Sequence, residues 1–149
     1  MPTPQSLFLP LTLVERCGPE HKRADVALVI DTSSSMAGGK LEEAKAAAAS
    51  FVDQMDLAPG RDQVTVVRFD AEAEVACELT AGRAVVEAAI RNLTSRSGTH
   101  MDKGLRTALA ELRSPRHLDR NLPVMVLLTD GVQTGTPGEE LRAAEEVRA

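Results

Sequence analysis

The chain has 149 residues, 17 of them Lys or Arg and 22 Asp or Glu, for a net charge of −5. That length suits one domain with a sizeable core, and the acidic balance gives no electrostatic case for nucleic acid. Phe8, Phe51 and Phe69 are the only aromatic residues, so stacking platforms for single-stranded nucleic acid are not expected either.

Residues 1–17 lack a basic start, and Pro2, Pro4 and Pro10 interrupt a short apolar stretch, so no signal peptide is read there. No apolar run approaches the ~20 residues of a spanning helix. The expectation is a cytoplasmic protein without membrane contact, in which Cys17 and Cys77 are reduced thiols at a spacing unlike a zinc motif. Residues 7–15 alternate weakly around Pro10, which cannot donate to a ladder. Residues 1–23 are therefore read as an N-terminal arm or edge strand, and 24–149 as the domain.

Val26-Ala27-Leu28-Val29-Ile30 is an unbroken apolar run, the pattern of a strand buried on both faces of a parallel sheet. It ends in oxygen, because Asp31, Thr32, Ser33, Ser34 and Ser35 follow in succession. Gly38 and Gly39 turn the chain into a helix over 40–55, with Leu41, Ala44, Ala48, Phe51, Val52 and Met55 on one face. Pro59-Gly60 marks a turn, 63–69 a valine-rich second strand and 74–79 an alternating third. A second helix follows Gly82, with Val85, Val86, Ala89, Ile90 and Leu93 expected inward. The third helix covers 101–112 on a stripe of Leu105, Ala108, Leu109 and Leu112. A charged loop over 114–121 holds His117, which like His21 is read as solvated. The apolar run at 123–129 is a fourth strand, again buried on both faces. Thr136, Pro137 and Glu139 carry the signals of a last helix start. Strand, oxygen-rich loop and helix in succession place Asp31 and its neighbours at the carboxyl end of the sheet, where open α/β folds bind ligands.

Three chemistries could use that loop. A phosphate cradle lacks its first glycine and the hydroxyl after Lys40. An aspartyl nucleophile would be Asp31, but phosphatases of the haloacid-dehalogenase type carry a second carboxylate two residues on, where this chain has Ser33. A hard divalent cation takes oxygen ligands, and alternate hydroxyls after a carboxylate suit octahedral magnesium. His100 beside serines and aspartates invites a hydrolase triad, yet no G-x-S-x-G elbow is present. A plainer alternative has Asp31 capping a helix, Ser33 and Ser35 closing turns, and Asp130 starting the Asp130-Gly131 turn.

The pattern Asp31-x-Ser33-x-Ser35 resembles the metal-ion-dependent adhesion site of von Willebrand factor type A domains, which are also the inserted domains of integrins. Ser97-Gly98-Thr99, followed by Met101, Gly104, Leu105 and Ala108, resembles the family's threonine loop, and Leu127-Leu128-Thr129-Asp130-Gly131 its last aspartate. The likeness covers 24–149. It implies an α/β, doubly wound, mostly parallel Rossmann-like sheet flanked by helices, with the third strand as an antiparallel edge. It also implies magnesium or manganese held by the hydroxyls of Ser33, Ser35 and Thr99, with Asp31 and Asp130 acting largely through waters. An aspartate or glutamate of a partner protein would then fill the open coordination position, which describes a binding module and not an enzyme. The alternative is a metal-dependent phosphatase-like hydrolase using Asp31. Ser97 stands where the family often has glycine. Family members usually continue past the helix at 137–149 with two more strands and a final helix. The fold is therefore expected to miss its usual last strands, leaving 124–128 as an edge through which a homodimer or higher assembly could pair, or else to be a fragment that needs its remaining segment from elsewhere.

Overall fold

A strand that is apolar without interruption has to be covered on both faces, and the run beginning at Val26 is covered in this way. A computed structural model of the chain describes residues 23–130; Cys17, His21, the expected arm up to residue 22, Gly131 and the helix start at Thr136 lie outside them. The described elements are β1 (Ala24–Asp31), α1 (Gly39–Asp53), β2 (Gln63–Phe69), β3 (Ala73–Thr80), α2 (Arg83–Arg91), α3 (Met101–Leu112) and β4 (Leu122–Leu128). The sheet order is β3-β2-β1-β4. β1 runs parallel to both β2 and β4, and β3 is antiparallel to β2 at one edge, as expected. Among the described residues β4 pairs with β1 alone.

Successive residues of β1 point to opposite faces of the sheet. Val26, Leu28 and Ile30 join Val64, Val66, Val124 and Val126 beneath Leu41, Ala44, Ala48 and Val52 of α1 and Val86 and Ile90 of α2. Ala27 and Val29 join Val67, Phe69, Met125 and Leu127 beneath Leu105, Ala108 and Leu112 of α3. Small residues let the helices approach closely. At Gly104 a Cβ would lie 2.7 Å from Phe69 Cδ1, so only glycine lets α3 sit this low on β2.

Register decides where the site lies. Asp31 pairs with Phe69 and Ile30 with Leu128, so β1, β2 and β4 end together at one carboxyl edge.

Two expectations need correction. Val85 is 58% exposed, not inward. Val86, Ile90 and Leu93, at i, i+4 and i+7, already complete the buried stripe, and a neighbour one position away is rotated off it by about 100°. His117 is not merely solvated either. Its Nδ1 lies 2.6 Å from Oδ2 of Asp25, a fully buried carboxylate at the amino end of β1. Asp25 also accepts bonds from the Leu118 N–H (3.0 Å), Asn121 Nδ2 (2.7 Å) and Gln63 Nε2 (3.0 Å). The charged loop is thus pinned under the start of the central strand. No described helix is long and apolar enough to cross a membrane.

A second buried carboxylate ties α3 to the edge strand. Glu111 accepts the Leu79 N–H at 2.8 Å and a two-pronged bond from Arg116, Nε to Oε2 at 2.7 Å and Nη2 to Oε1 at 2.9 Å. The bond from Arg116 holds the Glu111 carboxyl below the usual carboxylate range, with burial opposing it. Because the folded pKa is depressed, the stabilisation is fully present above the ordinary glutamate value of about 4.3 and is lost as pH falls through the lower folded value. Half-exposed Arg116 is screened by solvent, so Glu111→Gln is expected to cost about 1 kcal/mol near neutrality. Urea titrations should show that gap narrowing below about pH 4, and a gap that widens in acid would contradict the assignment.

Candidate functional site

β1 delivers Asp31 to the carboxyl edge with no exposed surface. Its Oδ1 accepts the Ser33 N–H at 2.8 Å and its Oδ2 accepts the Thr129 hydroxyl at 2.7 Å. Burial pushes the Asp31 carboxyl above its ordinary range, and Asp130 adds to the rise, while the bonds from Ser33 and Thr129 oppose it. After Thr32 the chain makes a single 3-10 turn, Ser34–Met36, with the Met36 side chain fully buried. That turn brings Ser33 Oγ to 2.9 Å from Ser35 Oγ.

Thr99 is 3% exposed and lies on the loop between α2 and α3. The loop is fastened by main-chain bonds to both neighbouring strand ends. Arg96 N–H donates to the Thr32 carbonyl (2.7 Å), Ala71 N–H to the Ser97 carbonyl (3.0 Å), and His100 N–H to the Asp70 carbonyl (2.8 Å). Ser95 Oγ donates to the Ser33 carbonyl at 3.1 Å. Gly98 has φ +89°, and a Cβ there would lie 2.8 Å from Ala71 Cα and 2.9 Å from Ala71 N. Ser97 is exposed, so a serine in the place of the family's glycine leaves this docking intact.

Asp130 follows β4, with its side chain 1% exposed and Lys40 Nζ 3.5 Å from its Oδ2. The expected residues Asp31, Ser33 and Ser35 therefore form one bonded set. Asp130 is near enough to perturb Asp31, and Thr99 sits on a loop anchored to Thr32 and Ser33. The donor set, neutral hydroxyls beside two buried carboxylates, fits a hard divalent cation. Among the described residues no three His, Cys, Asp or Glu side chains gather so as to hold a metal, so a cation at this edge relies on hydroxyl oxygen.

Sequence reasoning missed the supports of this edge. Asp70 is buried; its Oδ2 accepts Arg68 Nη1 at 2.6 Å and Thr32 Oγ1 at 3.2 Å, and its Oδ1 accepts the Glu72 N–H at 3.1 Å. Arg68 Nη2 also meets Glu74 Oε2 at 2.6 Å. A signal existed, because an arginine inside an apolar strand with an aspartate two residues on shares its face. His100 sends Nδ1 to 4.0 Å from Asp102 Oδ1, and its main chain serves to dock the threonine loop.

A family model described as von Willebrand factor type A domain matches residues 25–149. The uncharacterized protein sll0103 of Synechocystis sp. is 34% identical over 109 residues, 72% of this chain and 25% of that protein. The minor fimbrium subunit Mfa5 of Porphyromonas gingivalis is 33% identical over 116 residues, 74% of this chain and 9% of that protein. The crystal structure of the vWF domain of this type V pili tip protein superposes with a TM-score of 0.58, covering 63% of this chain and 34% of that one at 33% identity. Proximal thread matrix protein 1 from the mussel byssus, solved with a zinc-occupied MIDAS motif, superposes with a TM-score of 0.70 at 27% identity, over 84% of this chain and 33% of that one. The chain thus spans no more than 25% of the length of these curated relatives.

The docking of the threonine loop is testable at Gly98. Gly98→Ala meets both an unfavourable φ and the Ala71 backbone, so a loss of about 2 kcal/mol is expected by denaturant titration. Amide exchange at Arg96 and His100 should accelerate with it, and unchanged protection at both would show that the loop is held some other way.

Proposed function

The chain belongs to the von Willebrand factor type A domain family, and from that membership we propose that it is a metal-dependent protein-binding module. The hydroxyls of Ser33, Ser35 and Thr99 would hold magnesium or manganese, and Asp31 and Asp130 would act largely through waters. When bound, the cation supplies an electrophilic coordination position that neutral hydroxyls leave largely uncompensated, and an aspartate or glutamate of a partner protein fills it. The observation that carries this reading is the gathering of oxygen at the end of β1. Ser33 Oγ lies 2.9 Å from Ser35 Oγ beside the buried carboxylates of Asp31 and Asp130, a set of oxygen donors that suits a hard divalent cation.

The zinc-occupied MIDAS motif of the mussel protein supports a divalent cation at this edge. The pili tip role of Mfa5 supports a binding task over catalysis. A hydrolase built on Asp31 would need a general acid where Ser33 stands, and a serine hydroxyl does not serve as one near neutral pH.

Calorimetry with manganese should give a binding heat for the native protein, with affinity reduced roughly tenfold or more in a Ser33→Ala/Thr99→Ala variant that melts as the native protein does. Equal heats would sink the metal assignment. In pull-downs, a partner retained in magnesium should be released by chelator and missed by Asp31→Ala; retention through both treatments would remove the cation from recognition.

A further inference from the structure

Lys40 is the second residue of α1, which begins at Gly39. A lysine in a first helical turn faces the positive end of the helix dipole, an unfavourable place for an ammonium. What offsets this is Asp130, whose Oδ2 lies 3.5 Å from Lys40 Nζ. The partners are unequally placed, since the Asp130 side chain is 1% exposed and that of Lys40 is 41% exposed. A flexible stem thus reaches in from solvent and sets its charge on a buried carboxylate. The other lysine of this helix does something different. Lys45 Nζ donates to the Arg91 carbonyl at 3.0 Å, and Glu42 lies 3.6 Å from it.

We propose that Lys40 is a tethered cation that competes with the metal for Asp130 and thereby sets the affinity of the centre. The inference rests on the metal reading above. A divalent cation beside Asp130 repels the ammonium, which has a four-carbon stem and an open side from which to leave. A contact made only in the metal-free protein stabilises that form, and by linkage it weakens metal binding by the same factor. Lys40 thus keeps the carboxylate compensated until metal arrives, and raises the concentration at which the site fills.

The test is manganese calorimetry on the native protein, Lys40→Gln, Lys40→Arg and Lys45→Gln, with thermal melts of each with and without metal. Lys40→Gln is expected to bind manganese roughly three- to tenfold more tightly than native protein. Lys40→Arg keeps the charge and Lys45→Gln removes one held elsewhere on α1, so both should stay within about twofold of native. Without metal Lys40→Gln should melt below the native protein, and the gap should close at saturating manganese. Native heat with no gain in Lys40→Gln overturns this proposal alone, as does an equal gain in Lys45→Gln, which would make the effect one of net charge. No heat from any of the four proteins overturns the metal reading and this inference together.

Discussion

The backbone of the two residues beyond β1 has left the sheet and still needs partners, and the candidate site is built on how those partners are found. Thr32 N–H donates to the Phe69 carbonyl at 2.9 Å and the Thr32 carbonyl takes the Arg96 N–H at 2.7 Å, while the Ser33 carbonyl takes the Met36 N–H at 2.9 Å. Buried main-chain groups left without such bonds are costly, so the chain closes a turn on one side and draws the threonine loop in on the other. Bringing Ser33, Ser35 and the Thr99 loop to one edge is a consequence of that satisfaction. Arg68 and Asp70 brace the same edge from β2, where a buried ion pair costs least when further bonds saturate it. Thr32 Oγ1 and the Glu72 N–H provide those bonds.

The central strand carries a buried aspartate at each end, and the two are partnered differently. Asp25 is met by His117, the Leu118 N–H, Asn121 and Gln63, a set of donors that spends both of its oxygens on holding a loop in place. Asp31 has donors too, from Ser33 and Thr129, but its neighbour Asp130 is a second carboxylate that adds to the rise caused by burial. One end is electrostatically closed among its own residues. The other gathers hydroxyl and carboxylate oxygens, with Lys40 Nζ 3.5 Å from Asp130 Oδ2, an oxygen-rich arrangement of the kind that suits a cation.

Much of the fold was legible because its signals are local. An apolar run long enough for a strand and free of polar interruption has one economical environment. Thus 26–30 and 124–128 announced buried parallel strands, and the helix over 101–112 was bounded by its own stripe. The candidate positions Asp31, Ser33 and Ser35 stand out as short oxygen-bearing side chains at a strand end, whereas Thr99 and Asp130 are named through the resemblance to the motif of von Willebrand factor type A domains.

Pairing across the chain was not legible in the same way. His117 and Asp25 are 92 residues apart, and nothing near either one names the other. Lys40 reads as an ordinary helix-start residue until β4 places Asp130 against it, and Val85 reads as core until Val86 and Ile90 have filled the available face. The sequence by itself determined which segments are strands and helices and which residue types end them, because burial periodicity and turn chemistry act over a few residues. Only the tertiary structure decided which buried charges meet and which apolar side chain is left outside, because those outcomes depend on strand register and helix rotation, which are settled by the packing of the whole sheet.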